Sequence, residues 1–201
     1  MSAVVIAVVV GAGVVSIICV YLLSYFAVLF SPMRGRSAQP TILGMRFLIA
    51  LLAIAGLVDS VLALRIHMQD PNAAPPCAVT EKWDCGTVNH SRFAVFPAES
   101  FDEQPGSKKV HIPVATLGII GYGLIALTAL LDWTWVTLQL AEIGFFCAAM
   151  LSYLEAFVIQ KWCIYCVWSQ VFITAILLCS IVAAILKHRR KGLQHSAVAT
   201  V

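Results

Sequence analysis

CIYCVWSQVFITAILLCSIVAAIL, residues 163–186, opens with a Cys-x-x-Cys and continues as an apolar run. The run is close to the about 20 residues that cross the hydrocarbon core of a bilayer as a helix. A Cys-x-x-Cys closes readily into a small-ring disulfide, and the unpaired N–H groups at a helix N-terminus stabilise its thiolate. The stretch therefore predicts a membrane-spanning helix that begins with two redox-active thiols.

The composition of the whole chain supports a membrane environment. Hydrophobic residues make up 61% of the 201 positions and charged residues 11%, and the mean hydropathy is +0.92. A soluble globular domain has about 25% charged residues. The chain is therefore predicted to be an integral membrane protein in contact with membrane lipid. The formal net charge of +3 gives no indication of nucleic-acid binding.

Four further apolar runs precede this stretch, at about 2–30, 41–68, 112–131 and 135–159. Between them, residues 69–111 form a polar loop whose Pro, Asp, Glu and Lys residues are incompatible with hydrocarbon. The first run could be a signal peptide, but no basic residue precedes it and it exceeds the about 7–15 apolar residues of such peptides. We therefore favour a retained helix.

This pattern predicts an all-α integral membrane protein in three parts. Residues 1–36 are expected to form an N-terminal transmembrane helix and a linker, and residues 41–186 a core of four transmembrane helices with the external loop 69–111. Residues 187–201 are expected to form a basic cytoplasmic tail.

Basic residues near the ends of the runs predict the orientation. They follow the first and the last run: Arg34, Arg36, Lys187, Arg189, Arg190 and Lys191. Because cytoplasmic flanks are enriched in Lys and Arg, both places are expected in the cytoplasm. Five spans then put the loop and the start of the last run outside. Hence Cys77, Cys85, Cys163 and Cys166 are all expected at the external face.

The other three cysteines, Cys19, Cys147 and Cys179, lie inside apolar runs and are best interpreted as small buried hydrophobes. For the two external pairs, structural disulfides in an oxidising compartment are an alternative to redox function. This alternative suits the loop pair Cys77 and Cys85 better than the Cys-x-x-Cys, because two intervening residues leave little chain for a disulfide to constrain. We therefore favour redox function for the Cys-x-x-Cys and, given that, for the loop pair as well.

Three motifs together resemble a known family. They are Cys77 and Cys85 with the sequence WDCG at 83–86, the sequence HIPVATLGIIGY at 111–122 that opens one apolar run, and the Cys-x-x-Cys that opens another. In this combination they look like the vitamin K epoxide reductase family, and most like its bacterial members. The resemblance covers about residues 46–186.

The resemblance implies a four-helix bundle that encloses a quinone near the external surface, capped by the loop and a short half-helix. It implies a bacterial inner-membrane enzyme with a periplasmic active site, which oxidises a separate thioredoxin-like or DsbA-like thiol protein and reduces a membrane quinone. The quinone would be ubiquinone or a quinone of the menaquinone or vitamin K type. Reduction of vitamin K epoxide, as in vertebrate relatives, is the alternative activity.

Roles for the four cysteines follow from the same resemblance. Cys166 would lie nearest the quinone, and Cys163 would exchange with Cys85. Cys77 would pair with Cys85 and receive electrons from the partner. Thiol–disulfide exchange through mixed disulfides allows this order chemically.

Three more residues are candidates for substrate binding. Gln170 lies one helical turn beyond Cys166, where its amide could bond a quinone carbonyl or another helix. The vertebrate relatives have tyrosine at this position, and their asparagine near the start of the second core span is absent here. Tyr122 belongs to the second motif. Asp59 is an ionisable residue inside an apolar run, and could face the external cavity or pair with Arg65.

Two loop features have simpler interpretations. His90 and His111 could assist proton transfer, although loop histidines are usually solvated. The sequence Asn89-His90-Ser91 matches a glycosylation acceptor, which matters only in a eukaryotic secretory route.

A function of a different class is a membrane protein that binds a soft metal ion such as zinc or copper. Its ligands would be the four external cysteines together with His90. Against this interpretation, a flexible loop would have to supply half of the site, so we predict no metal. A structural membrane subunit with incidental disulfides is the third alternative.

Overall fold

The computed structural model of the chain describes residues 39–70, 75, 77, 78, 80–99 and 110–198. The predicted first span at 2–30 lies outside these residues. Contacts divide the chain into two units, Met1–Met45 and Arg46–Val201. The described residues of the first unit are helical, and the site described below lies in the second unit.

The described chain is mostly helical. Its elements in chain order are α1 (Gln39–His67), α2 (Cys85–Asn89), β1 (Val95–Phe96), β2 (Ile112–Pro113), α3 (Val114–Leu130), α4 (Thr134–Leu154), a π-helical turn (Glu155–Ile159) and α5 (Ile164–Val198). The short α2 lies within the segment 69–111, where the family resemblance implies a half-helix.

Three segments of the described chain are long and apolar enough to cross a membrane: Leu43–His67, Thr134–Ile159 and Ile164–Arg190. The predicted span at 112–131 is shorter in the structure, because Ile112–Pro113 form a strand and α3 has 17 residues. The prediction of a helical membrane protein is confirmed in this coarser form. The arrangement of four core helices with an additional N-terminal helix stays a prediction.

Glycines bring α1 and α3 close together. A Cβ atom built on Gly56 would lie 2.5 Å from Cε1 and Cζ of Tyr122, and one built on Gly118 would lie 2.8 Å from Oγ of Ser60. Membrane helices commonly pack through such small residues, because helices in lipid gain most from close van der Waals contact. The close contact between α1 and α3 therefore depends on glycine, which has no side chain, at positions 56 and 118.

Charged residues meet where α3 turns into α4. Nζ of Lys187 lies 3.1 Å from Oδ2 of Asp132, and Nε of Arg46 lies 3.7 Å from Oδ1 of the same residue. Arg46 also donates hydrogen bonds to the carbonyls of Ala129, at 3.1 Å, and Leu130. Asp132 adopts a left-handed conformation with φ of 61°, which Asp tolerates better than most residues. The three charged residues are therefore in contact at this turn.

A two-stranded antiparallel ribbon joins the loop to α3. Val95 pairs with Pro113 and Phe96 with Ile112, and the N–H of Val114 donates to the carbonyl of Ala94 at 2.8 Å. The end of the loop is thus fixed at the beginning of α3.

Replacing Gly56 by alanine tests the α1–α3 contact. The new methyl group would overlap the ring of Tyr122, which cannot swing away freely because its hydroxyl is bonded to Ser169 at 2.9 Å. We expect a loss of about 1–3 kcal/mol in the free energy of unfolding in detergent. The control Gly121→Ala lies on α3 with nothing within 4 Å of its added Cβ atom, and should be neutral. Equal stability of the two variants would contradict the close contact.

Candidate active site

The four cysteines that were predicted at the external face belong to one buried cluster. Cys85 and Cys163 are completely buried and Cys77 is 8% exposed, and together with Ile66 and Val88 they form an apolar core. Packed against this core, partly buried, are Ile159, Tyr165 and Cys166. The loop pair and the helix pair therefore share one water-poor environment.

The two pairs are in different redox states. Cys77 and Cys85 form a disulfide with Cα atoms 5.8 Å apart, the pairing that the family resemblance implies. Cys163 and Cys166 are free thiols. The site thus holds an oxidised loop pair beside a reduced helix pair.

A short backbone pairing holds the loop against the start of α5. The N–H of Asp84 donates to the carbonyl of Trp162 at 3.0 Å, and the N–H of Trp162 donates to the carbonyl of Lys82 at 2.8 Å. The rings of Trp83 and Trp162 lie 6.3 Å apart between centroids. Because Cys163 follows Trp162 and Cys85 follows Asp84, this pairing brings the two cysteines to the same place.

Asp84 caps α2, the helix that begins with Cys85. Its Oδ1 accepts a hydrogen bond from the N–H of Thr87 at 3.1 Å, and its Oδ2 accepts one from the Thr87 hydroxyl at 2.6 Å. These bonds, the hydroxyl bond foremost, lower the pKa of the Asp84 carboxyl below its usual value. An ionised cap fixes the orientation of the first turn and hence of Cys85.

Asn89 links the loop cysteine to the helix cysteine, a role that the sequence analysis missed. Its Nδ2 donates to the carbonyl of Cys85 at 2.9 Å and lies 3.4 Å from Sγ of Cys163. The residue is 7% exposed. The match to a glycosylation acceptor is therefore misleading, since the amide is buried in the site.

Cys163 is surrounded by hydrogen-bond donors. Its thiol pKa lies below the usual value, chiefly because the Cys166 thiol bonds to its sulfur and further because the N–H groups of Cys166 and Tyr165 point towards it. Burial acts in the opposite direction. When the dithiol loses its first proton, the negative charge is therefore located on Cys163.

Glu155 is the second residue that the sequence analysis missed. It is 2% exposed, lies in the π-helical turn, and its Oε2 accepts a hydrogen bond from the N–H of Cys163 at 3.1 Å. The signal was available, because an acidic residue in an apolar run is a functional candidate by the same argument that selected Asp59. Glu155 lies in the apolar run at 135–159 in the same way.

The three predicted substrate-binding residues lie outside the cysteine cluster. Gln170 Nε2 donates to Oγ1 of Thr174 on the same helix at 3.3 Å, not to another helix, and its Oε1 has no partner within the described chain. Tyr122 is 5% exposed and its hydroxyl donates to the carbonyl of Ser169 at 2.9 Å. Their role as substrate ligands stays a prediction.

Asp59 is buried at 8% exposure and lies close enough to Tyr122 for an electrostatic interaction. No ion pair between Asp59 and Arg65 is present among the described residues, so that suggested pairing is wrong. The reason is packing, since Asp59 is turned into the protein interior beside Tyr122.

The two loop histidines make structural contacts. The ring nitrogens of His90 lie 2.9 Å from the carbonyl of Gly86 and 3.1 Å from that of Gln69, and the ring stacks on His67. Nδ1 of His111 lies 2.8 Å from the carbonyl of Pro97. In the part of the chain that the structure describes, no group of three or more His, Cys, Asp or Glu side chains could hold a metal ion.

Substitution of Asp84 tests the cap of α2. Asp84→Ala removes both acceptors and should cost about 1 kcal/mol of local stability, seen as faster hydrogen exchange of the α2 amides. Asp84→Asn keeps one acceptor and should exchange almost as slowly as the wild type. Unchanged exchange in Asp84→Ala would contradict the cap.

The same residue gives a pH dependence. Because the pKa of Asp84 is lowered on folding, its stabilisation is fully present above the unfolded value of about 4 and is lost as the pH falls through the lower folded value. Exchange of the α2 amides, corrected for intrinsic rates, should show this acid sensitivity in the wild type and lack it in Asp84→Asn.

Asn89→Ala should weaken the thiolate of Cys163. Loss of an N–H donor to sulfur raises the thiol pKa, so the ultraviolet thiolate absorbance of the reduced protein should develop at higher pH. Ser91→Ala is the matched control, because the Ser91 hydroxyl donates only to the carbonyl of Val88, at 2.8 Å. An unchanged titration in Asn89→Ala would exclude a role for this amide in charging Cys163.

Comparison with known proteins agrees with this geometry. The model of the vitamin K epoxide reductase family matches residues 47–181, which include the loop, the Cys-x-x-Cys and helices α2 to α4. A comparison with individual curated proteins gives no significant match. The match spans well over half of the sequence, and so the chain belongs to the vitamin K epoxide reductase family, whose members are membrane oxidoreductases.

Proposed function

We propose that the protein is a quinone-linked thiol oxidoreductase that supports disulfide formation outside the cytoplasm. One observation carries the proposal: an oxidised loop pair and a reduced Cys-x-x-Cys lie in the same buried cluster, with Cys85 and Cys163 both at 0% exposure. Purely structural disulfides would give no reason to bury a free dithiol against a disulfide.

The partner is proposed to be a separate thioredoxin-like or DsbA-like protein that reacts first with the loop pair. Cys77 is 8% exposed and Cys85 is completely buried, so a partner thiolate attacks the sulfur of Cys77. The Cys77–Cys85 bond breaks, a mixed disulfide forms between the partner and Cys77, and Cys85 leaves as a thiolate. The second partner thiol then releases the oxidised partner and leaves Cys77 reduced.

Exchange inside the protein follows. The Cys85 thiolate attacks Cys163 in a Cys163–Cys166 disulfide, so that a Cys85–Cys163 bond forms and Cys166 leaves. Cys77 then attacks Cys85, which restores the loop disulfide and frees Cys163. Two electrons have moved from the loop pair to the helix pair. The resulting state, with an oxidised loop and a reduced helix pair, is the one described above.

A quinone would accept two electrons and two protons from the helix pair. Gln170, one turn beyond Cys166 on α5, fits the polar head of such a molecule. Its buried Oε1 lacks a hydrogen-bond partner among the described residues and its Nε2 retains a second N–H. The amide can thus accept from a hydroxyl or donate to a carbonyl. Which quinone is used depends on apolar contacts.

The soft-metal alternative is less well supported. A metal site of four thiolates needs Cys77 and Cys85 in the reduced form, whereas these two sulfurs are bonded to each other. Reduction of vitamin K epoxide uses the same helix pair with electrons from the same loop, and differs only in the acceptor.

Quinone reduction by the purified protein tests the proposed function. Reduced thioredoxin-like protein serves as the donor, decylubiquinone and menadione as acceptors, and ultraviolet absorbance as the readout. Cys166→Ala should abolish turnover. The matched control Cys147→Ala removes a free thiol on α4, which is exposed in the structure and not buried as the sequence suggested. This variant should leave turnover unchanged. No turnover of either quinone by the wild type, together with stoichiometric bound metal, would overturn the proposal.

The order of exchange has a separate test. In the double variant Cys77→Ala and Cys166→Ala, neither resolving thiol is present, so a disulfide between Cys85 and Cys163 should form and persist. Mass spectrometry of non-reduced peptides detects it. Two free thiols under oxidising conditions would contradict transfer through this pair.

A further inference from the structure

A reduced Cys-x-x-Cys must lose two protons when it closes, and the pair lies against an apolar core. Cys163 is completely buried, and Cys166 is packed against the apolar core around Cys85. With the first charge on Cys163, Cys166 retains its proton in the hydrogen bond between the two sulfurs. The remaining proton needs an acceptor within the site.

Glu155 is placed to be that acceptor. Its Oε2 is held by the N–H of Cys163 at 3.1 Å. Its Oε1 is buried and has no partner at hydrogen-bonding geometry within the described chain. The carboxyl group and the Cys166 side chain are nevertheless close enough to interact. A buried carboxylate oxygen without a hydrogen-bond donor costs free energy. Such an oxygen is, however, free to receive a proton.

A π-helical turn separates Glu155 from the cysteines. Residues Glu155–Ile159 continue α4 with a wider turn, and Gln160 then adopts a left-handed conformation with φ of 59°. The chain reverses there and returns as α5. π-Helical turns often accompany functional sites because they displace side chains from the regular helical positions.

No other charged side chain competes for this role among the described neighbours. Lys161 donates to the carbonyl of Glu81, and His67 at the end of α1 has Nδ1 against the carbonyl of Asn89. The remaining titratable groups here are the thiols themselves and the phenol of Tyr165, which packs against the cluster. The disulfide of the loop pair does not titrate.

We propose that Glu155 carries the proton of Cys166: its carboxylate accepts this proton when the Cys163–Cys166 disulfide closes, and its carboxyl group returns one when the disulfide opens. The inference rests on the proposed function, which makes this pair cycle. On closing, the S–S bond forms, the electron pair passes to the oxidant, and the proton of Cys166 moves to Oε1. On opening, Cys166 leaves as a thiolate and takes the proton back.

The test follows closure of the helix pair without any quinone. The fully reduced protein is treated with 4,4′-dithiodipyridine, which takes the two electrons and releases two thiopyridone molecules. The first leaves when the Cys163 thiolate attacks the reagent, and the second leaves when Cys166 gives up its proton and attacks the mixed disulfide on Cys163. Acid quenching and the mass of the peptide that carries both cysteines give the rate of closure at each pH.

Glu155→Gln separates proton transfer from the effect of charge. The glutamine side chain can still accept from the N–H of Cys163 but takes up no proton. If Glu155 is the base, the wild-type rate should level off near neutral pH. The variant should be about 10²-fold slower there, with a rate that rises about tenfold per pH unit as the thiolate forms.

The opposite result would overturn the proposal. If Glu155 acted only through its negative charge, its neutralisation would ease the ionisation of Cys166, and Glu155→Gln would close faster at neutral pH. An equal rate in variant and wild type would overturn it as well. Glu155→Asp keeps a carboxyl group and should retain the levelled profile at a lower rate.

Two controls complete the design. Glu142→Gln makes the same chemical change earlier on α4, where Glu142 accepts from Gln139 at 3.2 Å, and should match the wild type. If Glu155→Gln fails to fold, the pH profile of the wild type tests the proposal by itself. A closure rate that rises about tenfold per pH unit without levelling off would mean that no side chain acts as the base, and would overturn the proposal. Failure of the wild type to reduce quinones, with its levelled profile intact, would refute the proposed function and not the proton acceptor.

Discussion

The backbone pairing of residues 82–84 with Trp162 is the contact on which the rest of the site depends. The loop at 69–111 is long, and holding one of its cysteines against a particular helix costs conformational entropy for each residue ordered. Two backbone hydrogen bonds, of 3.0 Å and 2.8 Å, fix the chain one residue before Cys85 and one residue before Cys163. The cap of α2 then orients Cys85, and the amide of Asn89 contacts the sulfur of Cys163.

Burial of the thiols creates a charge problem that the same residues solve. Thiol–disulfide exchange proceeds through a thiolate, and an apolar cluster disfavours any ion. At Cys163 the charge is supported by the Cys166 thiol and by backbone N–H groups at the start of α5. The site therefore favours the reactive form of one sulfur while keeping water away. The protons released at these sulfurs then need an acceptor within the site, which is the role proposed above for Glu155.

Sequence patterns predicted the features that depend on local composition. Apolar runs predicted the long helices, and the Cys-x-x-Cys was correctly placed at the beginning of α5. The family resemblance implied the pairing of Cys77 with Cys85 and a short helix in the loop. What escaped prediction were contacts between distant segments. Asn89 lies 74 positions from Cys163, and no local pattern shows that its amide faces a sulfur.

Two other differences have local causes that a pattern of hydropathy does not contain. Glu155 lies where α4 passes into a π-helical turn, and its carboxylate accepts from the N–H of Cys163, which follows that turn. The expected span at 112–131 is shortened because its first two residues pair with Val95–Phe96 as a strand. In both places the backbone hydrogen bonds determine the local structure, and a hydropathy pattern contains no information about them.

The two ends of the described helices hold different kinds of contact, charged at one end and apolar at the other. Where α3 meets α4, Arg46 and Lys187 bind Asp132, and these partly exposed ion pairs add only about 0–1 kcal/mol each. Their greater effect is geometric, because the carbonyls of Ala129 and Asp132 are bound by the same two cations. This clamp fixes the turn between α3 and α4. The cysteine cluster lies at the opposite ends of α1 and α5, near Ile66 and Cys163, so its disulfides can exchange without rearranging the clamp.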